Sequence, residues 1–298
     1  MIHELGAREF TRRVEKEWKT IRDTAIDLPV GEYERIRAFF APLPYESLPK
    51  NDAGFSHLEF ENQDFSHWVR GNTLPHRQSG YSIANISLKP IGGIPGDASA
   101  KQMEVVADLA EKFSFGEIRV AHEQNLVLPH VKQTDLYSIW NTLKEHNLAT
   151  PNLGLISDII ACPGMDYCSL ATARSIPLAQ DISNRFSNLR RQNDIGELSV
   201  NISGCINACG HHHVGHIGLL GVDRKGEEYY QVTIGGSADE NASIGEIIGP
   251  AIPYDEVVDA IERVVETYVD LRAKNESFID AYRRVGKQPF KENLYVTN

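Results

Sequence analysis

The chain has 298 residues, a formal net charge of −11 from 30 Lys+Arg against 41 Asp+Glu, and four cysteines. This length suffices for two domains, and 41% hydrophobic with 24% charged residues is a globular balance that excludes a disordered or collagen-like chain. The acidic excess argues against a general nucleic-acid binder, and with no run of 18 apolar residues a membrane-spanning helix is not expected. Met1 to Arg8 shows no basic segment leading into an apolar one, so no secretory signal is expected. Four cysteines are too few for a disulfide scaffold and suit a reducing, cytoplasmic location.

Residues 7–23 place Phe10, Val14, Trp18 and Ile21 at helical spacing, which predicts an amphipathic packing helix. From Ala41 to Gln78 the pattern breaks. Pro42, Pro44, Pro49, Gly54, Gly71 and Pro75 punctuate a polar stretch carrying Phe55, Phe60, Phe65 and Trp68, and an extended connector is expected. Tyr81–Leu88 alternates as a strand, Ala98–Phe113 is helical, and Glu117–Ala121 and Asn125–Leu128 are short strands. A second helix follows over Thr134–His146. The order β-α-β-β-α is that of a small ferredoxin-like α+β unit.

Beyond Pro151 the apolar run Leu155–Ala161 predicts a buried strand ending at Cys162, and Leu198–Ile202 a second strand just before the next cysteine pair. Between them, Ser169–Arg190 is mainly helical with an interruption near Pro177. His216–Val222 and Tyr229–Ile234 predict a hairpin turning at Lys225-Gly226, and Tyr254–Lys274 a long amphipathic helix. The expected division is 1–78 for helix and connector, 79–150 for the ferredoxin-like half-domain and 151–298 for an α/β cysteine-bearing domain.

The four cysteines form two pairs, Cys162-Pro-Gly-Met-Asp-Tyr-Cys168 and Cys205-Ile-Asn-Ala-Cys209-Gly210, each just past a predicted strand. Four thiolates from two glycine-containing loops suit either tetrahedral zinc or an iron–sulfur cubane. The wider first pair exceeds zinc-knuckle spacing and favours the cubane. The plain alternative is four unliganded cysteines packing as small hydrophobes. His211, His212, His213 and His216 permit a Cys/His zinc site with Cys209, although two cysteine pairs already make a complete ligand set. Gly235-Gly236 is either an anion-facing pair of backbone N–H groups or a turn. Glu123, Asp158 and Asp166 carry no acid–base spacing, and no nucleotide fingerprint is present.

With Asn207 inside the second pair and Gly210 after it, the cysteine pattern closely resembles that of the siroheme-dependent sulfite and nitrite reductases. Within that family it is most similar to the haemoprotein subunits of bacterial assimilatory sulfite reductases. Tyr81–His130, with Glu123-Gln124-Asn125-Leu126 before a strand, resembles the family's ferredoxin-like half-domain, and Gly210–Gly236 the segment after the cluster. Ile206 stands where the family usually has proline. The resemblance implies that Cys162, Cys168, Cys205 and Cys209 bind a [4Fe–4S] cluster and that Cys209 also bridges to the siroheme iron. Asn207 and Gly210 are then further cofactor-binding candidates. It also implies six-electron reduction of sulfite to sulfide, or alternatively of nitrite to ammonia, with a flavoprotein or ferredoxin as donor.

Only the second of the family's two pseudo-symmetric halves is resembled, so an N-terminal partner half is expected elsewhere. Charge points the same way. Residues 155–241 carry six cations (Arg174, Arg185, Arg190, Arg191, Arg224 and Lys225) against ten Asp/Glu, too few to hold an anionic cofactor and substrate unaided. A stand-alone iron–sulfur electron-transfer module and a zinc-stabilised binding domain are the competing readings.

Overall fold

The computed structural model describes residues 1–24 and 28–295. It divides into two compact units, Met1–Glu46 and Ser47–Asn298. In the first, helices span Ile2–Leu5, Ala7–Ile21 and Glu32–Ala38. The long helix coincides with the predicted one. Its apolar stripe is not packed away, for Val14, Trp18 and Ile21 are each about half exposed.

In the second unit, two helices occupy about half of the stretch expected as an extended connector. Asp52 caps Ala53–Glu61 by accepting the Phe55 N–H at 2.8 Å, and Asn62 caps Gln63–Asn72 by accepting the Phe65 N–H at 3.0 Å. The second of these helices feeds strand β1 (Thr73–Pro75). β1 lies at the edge of a four-stranded antiparallel sheet with β2 (Tyr81–Ile86), β3 (Arg119–Val120) and β4 (Leu126–Lys132), in the order β1-β2-β4-β3. Pro75 is tolerated there because an edge strand can do without one donor. Helices Ala100–Phe113 and Leu136–Glu145 complete the ferredoxin-like arrangement, the former opened by a reciprocal Ser99–Gln102 capping box. Phe65 and Trp68 are fully buried with Ile86, Leu128, Ile139 and Trp140 in the first core. Phe65 and Trp68 of the connector are thus part of that core and Phe55 packs against it, whereas Phe60 is exposed.

The second core belongs to a mixed sheet, ordered β10-β8-β7-β6-β5. Its strands are β5 (Ile160–Ala161), β6 (Val200–Ser203), β7 (Ile217–Arg224), β8 (Glu227–Ile234), β9 (Glu246–Ile247), which pairs with β8, and β10 (Ile252–Pro253). β5, β6 and β7 run parallel, and β7 and β8 form the predicted hairpin. Lys225 and Gly226 at its tip both have positive φ, 60° and 87°, as the tight turn requires. Helices Ile176–Arg185 and Tyr254–Leu271 supply Leu178, Ile182, Val257, Ile261, Val264 and Tyr268 to this core. Pro177 does not interrupt a helix; it sits in the first turn of one, where its missing N–H has no intrahelical partner to lose.

The strand expected over Leu155–Ala161 shrinks to its last two residues. The Leu155 and Asp158 N–H groups close turns on Asn152 and Leu155, which swing Asp158 inward. No described helix is long and apolar enough to cross a membrane.

Phe65→Ala is expected to cost about 3–5 kcal/mol, the usual range for deleting a buried aromatic. Urea unfolding of the full chain checks it. A loss below about 1 kcal/mol would mean that this helix only lies over the core.

Candidate metal-cluster site

β5 and β6 pair in parallel register, Ala161 beside Ile202, and the Cys162 N–H extends the ladder by donating to the Ile202 carbonyl at 3.1 Å. Both cysteine loops therefore leave the carboxyl ends of adjacent strands. That is where open α/β sheets place their ligands.

The first loop turns through a 3₁₀ segment, Gly164–Asp166, and the Cys168 N–H donates back to the Gly164 carbonyl at 2.9 Å. The second turns at Ala208 and His211, non-glycine residues with φ of 57° and 54°, whose N–H groups donate to the carbonyls of Cys205 and Ala208. The loops touch through glycine. A Cβ on Gly204 would come within 3.0 Å of the Gly164 Cα and 2.6 Å of the Ala173 carbonyl, and one on Gly210 would run into the Ile202 carbonyl. Thr172 and Ala173 tie the loops further, their N–H groups meeting the Gly204 carbonyl at 2.9 and 3.0 Å.

All four cysteines are free. Cys162 and Cys205 are buried, Cys168 is half-buried and Cys209 is exposed. The Gly204 N–H donates to the Cys162 sulfur at 3.1 Å, and the Ser175 hydroxyl lies 3.4 Å from it. Amide donation of this kind stabilises charge on a ligating thiolate. Among the described residues no three His, Cys, Asp or Glu side chains are gathered into a metal-holding group, although both cysteine loops leave the same end of the sheet. An all-thiol donor set on touching glycine loops, with an amide directed at one sulfur, fits an iron–sulfur cluster in chemistry and placement.

Some of the other candidates have packing roles. Gly210 uses its N–H on the Ser203 hydroxyl and its carbonyl on the Asn201 amide, so its evident task is folding the loop back onto β6. Asn207 and Asp166 are exposed. His216 accepts the Ser199 N–H at Nδ1 and stacks on Phe278, and burial lowers its pKa. His212 is 2% exposed with an unpartnered Nδ1, and burial, helped by neighbouring His213, pushes its pKa down to about 4. It is neutral near pH 7 and adds no positive charge for an anion. Gly235 gives its N–H to the His216 carbonyl, so that part of the glycine pair is committed within the fold rather than to an anion.

Asp158 forms no acid–base pair. Its Oδ1 meets Lys89 Nζ at 2.7 Å and the Asn125 amide at 3.0 Å, while its Oδ2 accepts the Gly154 N–H at 2.8 Å. Both ion-pair partners are buried, and desolvation pulls Lys89 below the usual lysine pKa despite the carboxylate beside it. Lys89 also donates to the Glu123 carbonyl. Sequence reasoning missed this pair and the neighbouring Gln124, whose partners lie more than 30 residues away.

Asp158→Ala should destabilise the chain by about 3–5 kcal/mol, because it leaves a buried ammonium without its counter-charge. Replacing both partners by apolar residues should cost less. Denaturant midpoints of the single and double variants check the order, and equal losses would contradict it.

Residues 155–297 match the model of the nitrite and sulphite reductase 4Fe-4S domain, and residues 86–146 that of the nitrite/sulfite reductase ferredoxin-like half domain. A chloroplastic ferredoxin–nitrite reductase of Spinacia oleracea is 27% identical over 212 residues, covering 66% of this chain and 34% of that protein. A sulfite reductase [ferredoxin] of Mycolicibacterium paratuberculosis is 30% identical over 198 residues, covering 63% and 36%. The chain thus spans about a third of the length of these relatives. The structure of Mycobacterium tuberculosis NirA superposes with a TM-score of 0.60 at 24% identity, over 97% of this chain and 48% of that one, a likeness of fold. With two models of one family matching residues 86–146 and 155–297, the chain belongs to the siroheme-dependent nitrite and sulfite reductase family.

Proposed function

We propose that this chain is the cofactor-carrying portion of a siroheme-dependent reductase that takes sulfite to sulfide or nitrite to ammonia. The observation that carries the reading is the pair of cysteine loops leaving adjacent parallel strands, within a segment that matches the 4Fe-4S domain of the family. Cys162, Cys168, Cys205 and Cys209 would hold the cluster, with Cys209 shared between it and the siroheme iron. Once bound, the cofactors would pass a donor's electrons, one at a time, to one small anion. The chain supplies placement. Buried Cys162 and Cys205 anchor the inner side, and Cys209 is exposed, which leaves it accessible to a second group.

The loops expose several large apolar side chains. Met165, Tyr167, Leu170 and Ile206 are all more than half exposed on these two short segments, which suits cover by a flat macrocycle or a further protein surface. Cations for an anionic group are scarce there. Arg174 is paired with Glu228, Arg185 with Asp259 and Glu262, and Arg191 with Glu262. We therefore propose that a basic partner half provides the charge that grips cofactor and substrate, and that a ferredoxin or flavoprotein delivers the electrons. The relatives named as ferredoxin-dependent nitrite and sulfite reductases support the ferredoxin. Sulfite and nitrite are supported equally by these names.

Cys209→Ser tests the bridging role after anaerobic reconstitution with iron, sulfide and siroheme. The wild type should give the spectrum of a magnetically coupled cluster and siroheme, and the variant should lose the coupling and weaken the cluster. A normal coupled spectrum from the variant would refute the assignment. A colourless, zinc-containing wild type would refute both iron cofactors.

A further inference from the structure

β5 is an edge strand of only two residues, yet it delivers Cys162. One side of it is held by β6. The other side meets a side chain. Gln124 Nε2 donates to the Ala161 carbonyl at 2.8 Å, and the Ala161 N–H donates to Gln124 Oε1 at 3.1 Å. The carboxamide thus presents one donor and one acceptor to one residue's backbone, as a neighbouring strand would.

Gln124 reaches this position from a turn in which its own φ is 58°, uncommon for a residue with a side chain, and its Cβ side faces Gly96. The residues flanking it are fastened to Leu88 and Lys89 and to Asp158, just before β5. The Glu123 carbonyl accepts from Lys89, and Asn125 holds Asp158 while its Oδ1 accepts the Leu88 N–H at 3.0 Å. The whole turn of the ferredoxin-like unit is therefore stapled across the two cores onto the strand that ends at Cys162.

We propose that Gln124 is a positioning residue for Cys162: its carboxamide closes the open edge of β5 and fixes the direction in which the thiolate leaves the sheet. This rests on the reading of Cys162 as a cluster ligand. Only a carboxamide of this length does the task. Glutamate keeps the shape but sets a second acceptor against the Ala161 carbonyl, and leucine removes both bonds.

The test uses the full chain as wild type, Gln124→Glu, Gln124→Leu and Cys162→Ser. In the metal-free proteins, amide exchange at Ala161 and Cys162 should quicken about tenfold in both Gln124 variants, the equivalent of losing one hydrogen bond's protection. Exchange in the Tyr254–Leu271 helix should stay as in the wild type. After anaerobic loading with iron and sulfide, the Gln124 variants should bind the cluster about tenfold or more weakly and show a shifted EPR signal and midpoint potential. Wild-type exchange at both amides would overturn the clamp. Faster exchange with wild-type loading, EPR signal and potential would overturn the positioning role and leave a local structural one. If Cys162→Ser loads as the wild type does, the ligand reading itself fails and the positioning role with it. Normal loading of the Gln124 variants beside a Cys162→Ser variant that loads nothing rejects the positioning role alone.

Discussion

The parallel pairing of β5 with β6 is the constraint on which the site depends. It brings together two loops separated by 36 residues of sequence, and it does so at strand ends, where backbone geometry is still dictated by the sheet. The ladder is short. It consists of two paired residues and the one further bond from Cys162 to Ile202, so it cannot be stable by itself. Its persistence comes from its surroundings. On one side stand the long β7–β8 hairpin and the helix Tyr254–Leu271, whose apolar face fills the core beneath. On the other stand the Gln124 clamp and the buried Lys89–Asp158 pair.

These supports differ in kind. The hairpin and helix stabilise through apolar burial, which is indifferent to the exact direction of the loops. The clamp and the ion pair are directional, and a buried charge pair is costly to disturb once formed. A cluster ligand needs the second kind, because a thiolate must be aimed as well as present. The ferredoxin-like unit thus has a physical reason to precede the cysteine domain: it carries the turn Glu123-Gln124-Asn125 and Lys89. Outward from the loops the balance reverses. Cys209 and several large apolar side chains are exposed, and three of the six cations of residues 155–241 are already paired with carboxylates.

What could be read in the sequence was local. The two cysteine pairs, the hairpin turning at Lys225-Gly226 and the periodic helix from Tyr254 each declare themselves within a few residues, and the structure has the hairpin and helix close to their expected bounds. In the stretch before β1, prolines and glycines obscure two short helices. Asp52 and Asn62, three residues before the amides that they cap, were the available signal. Leu155–Ala161 has the mainly apolar composition of a strand, whereas its backbone turns at Leu155 and Asp158, and Asp158 meets Lys89. Gln124 was legible only as part of a family motif. Its partner lies 37 residues on, and no spacing rule reports such a contact.

The central claim is that these four cysteines constitute one iron–sulfur ligand set. The most direct measurement is the Mössbauer spectrum of the full chain loaded anaerobically with ⁵⁷Fe and sulfide, read together with its iron and sulfide content. The account predicts about four irons and four sulfides per chain, with all the iron in one thiolate-bound cubane environment. A chain that binds a single tetrahedral metal ion, or iron bound without acid-labile sulfide, would contradict it.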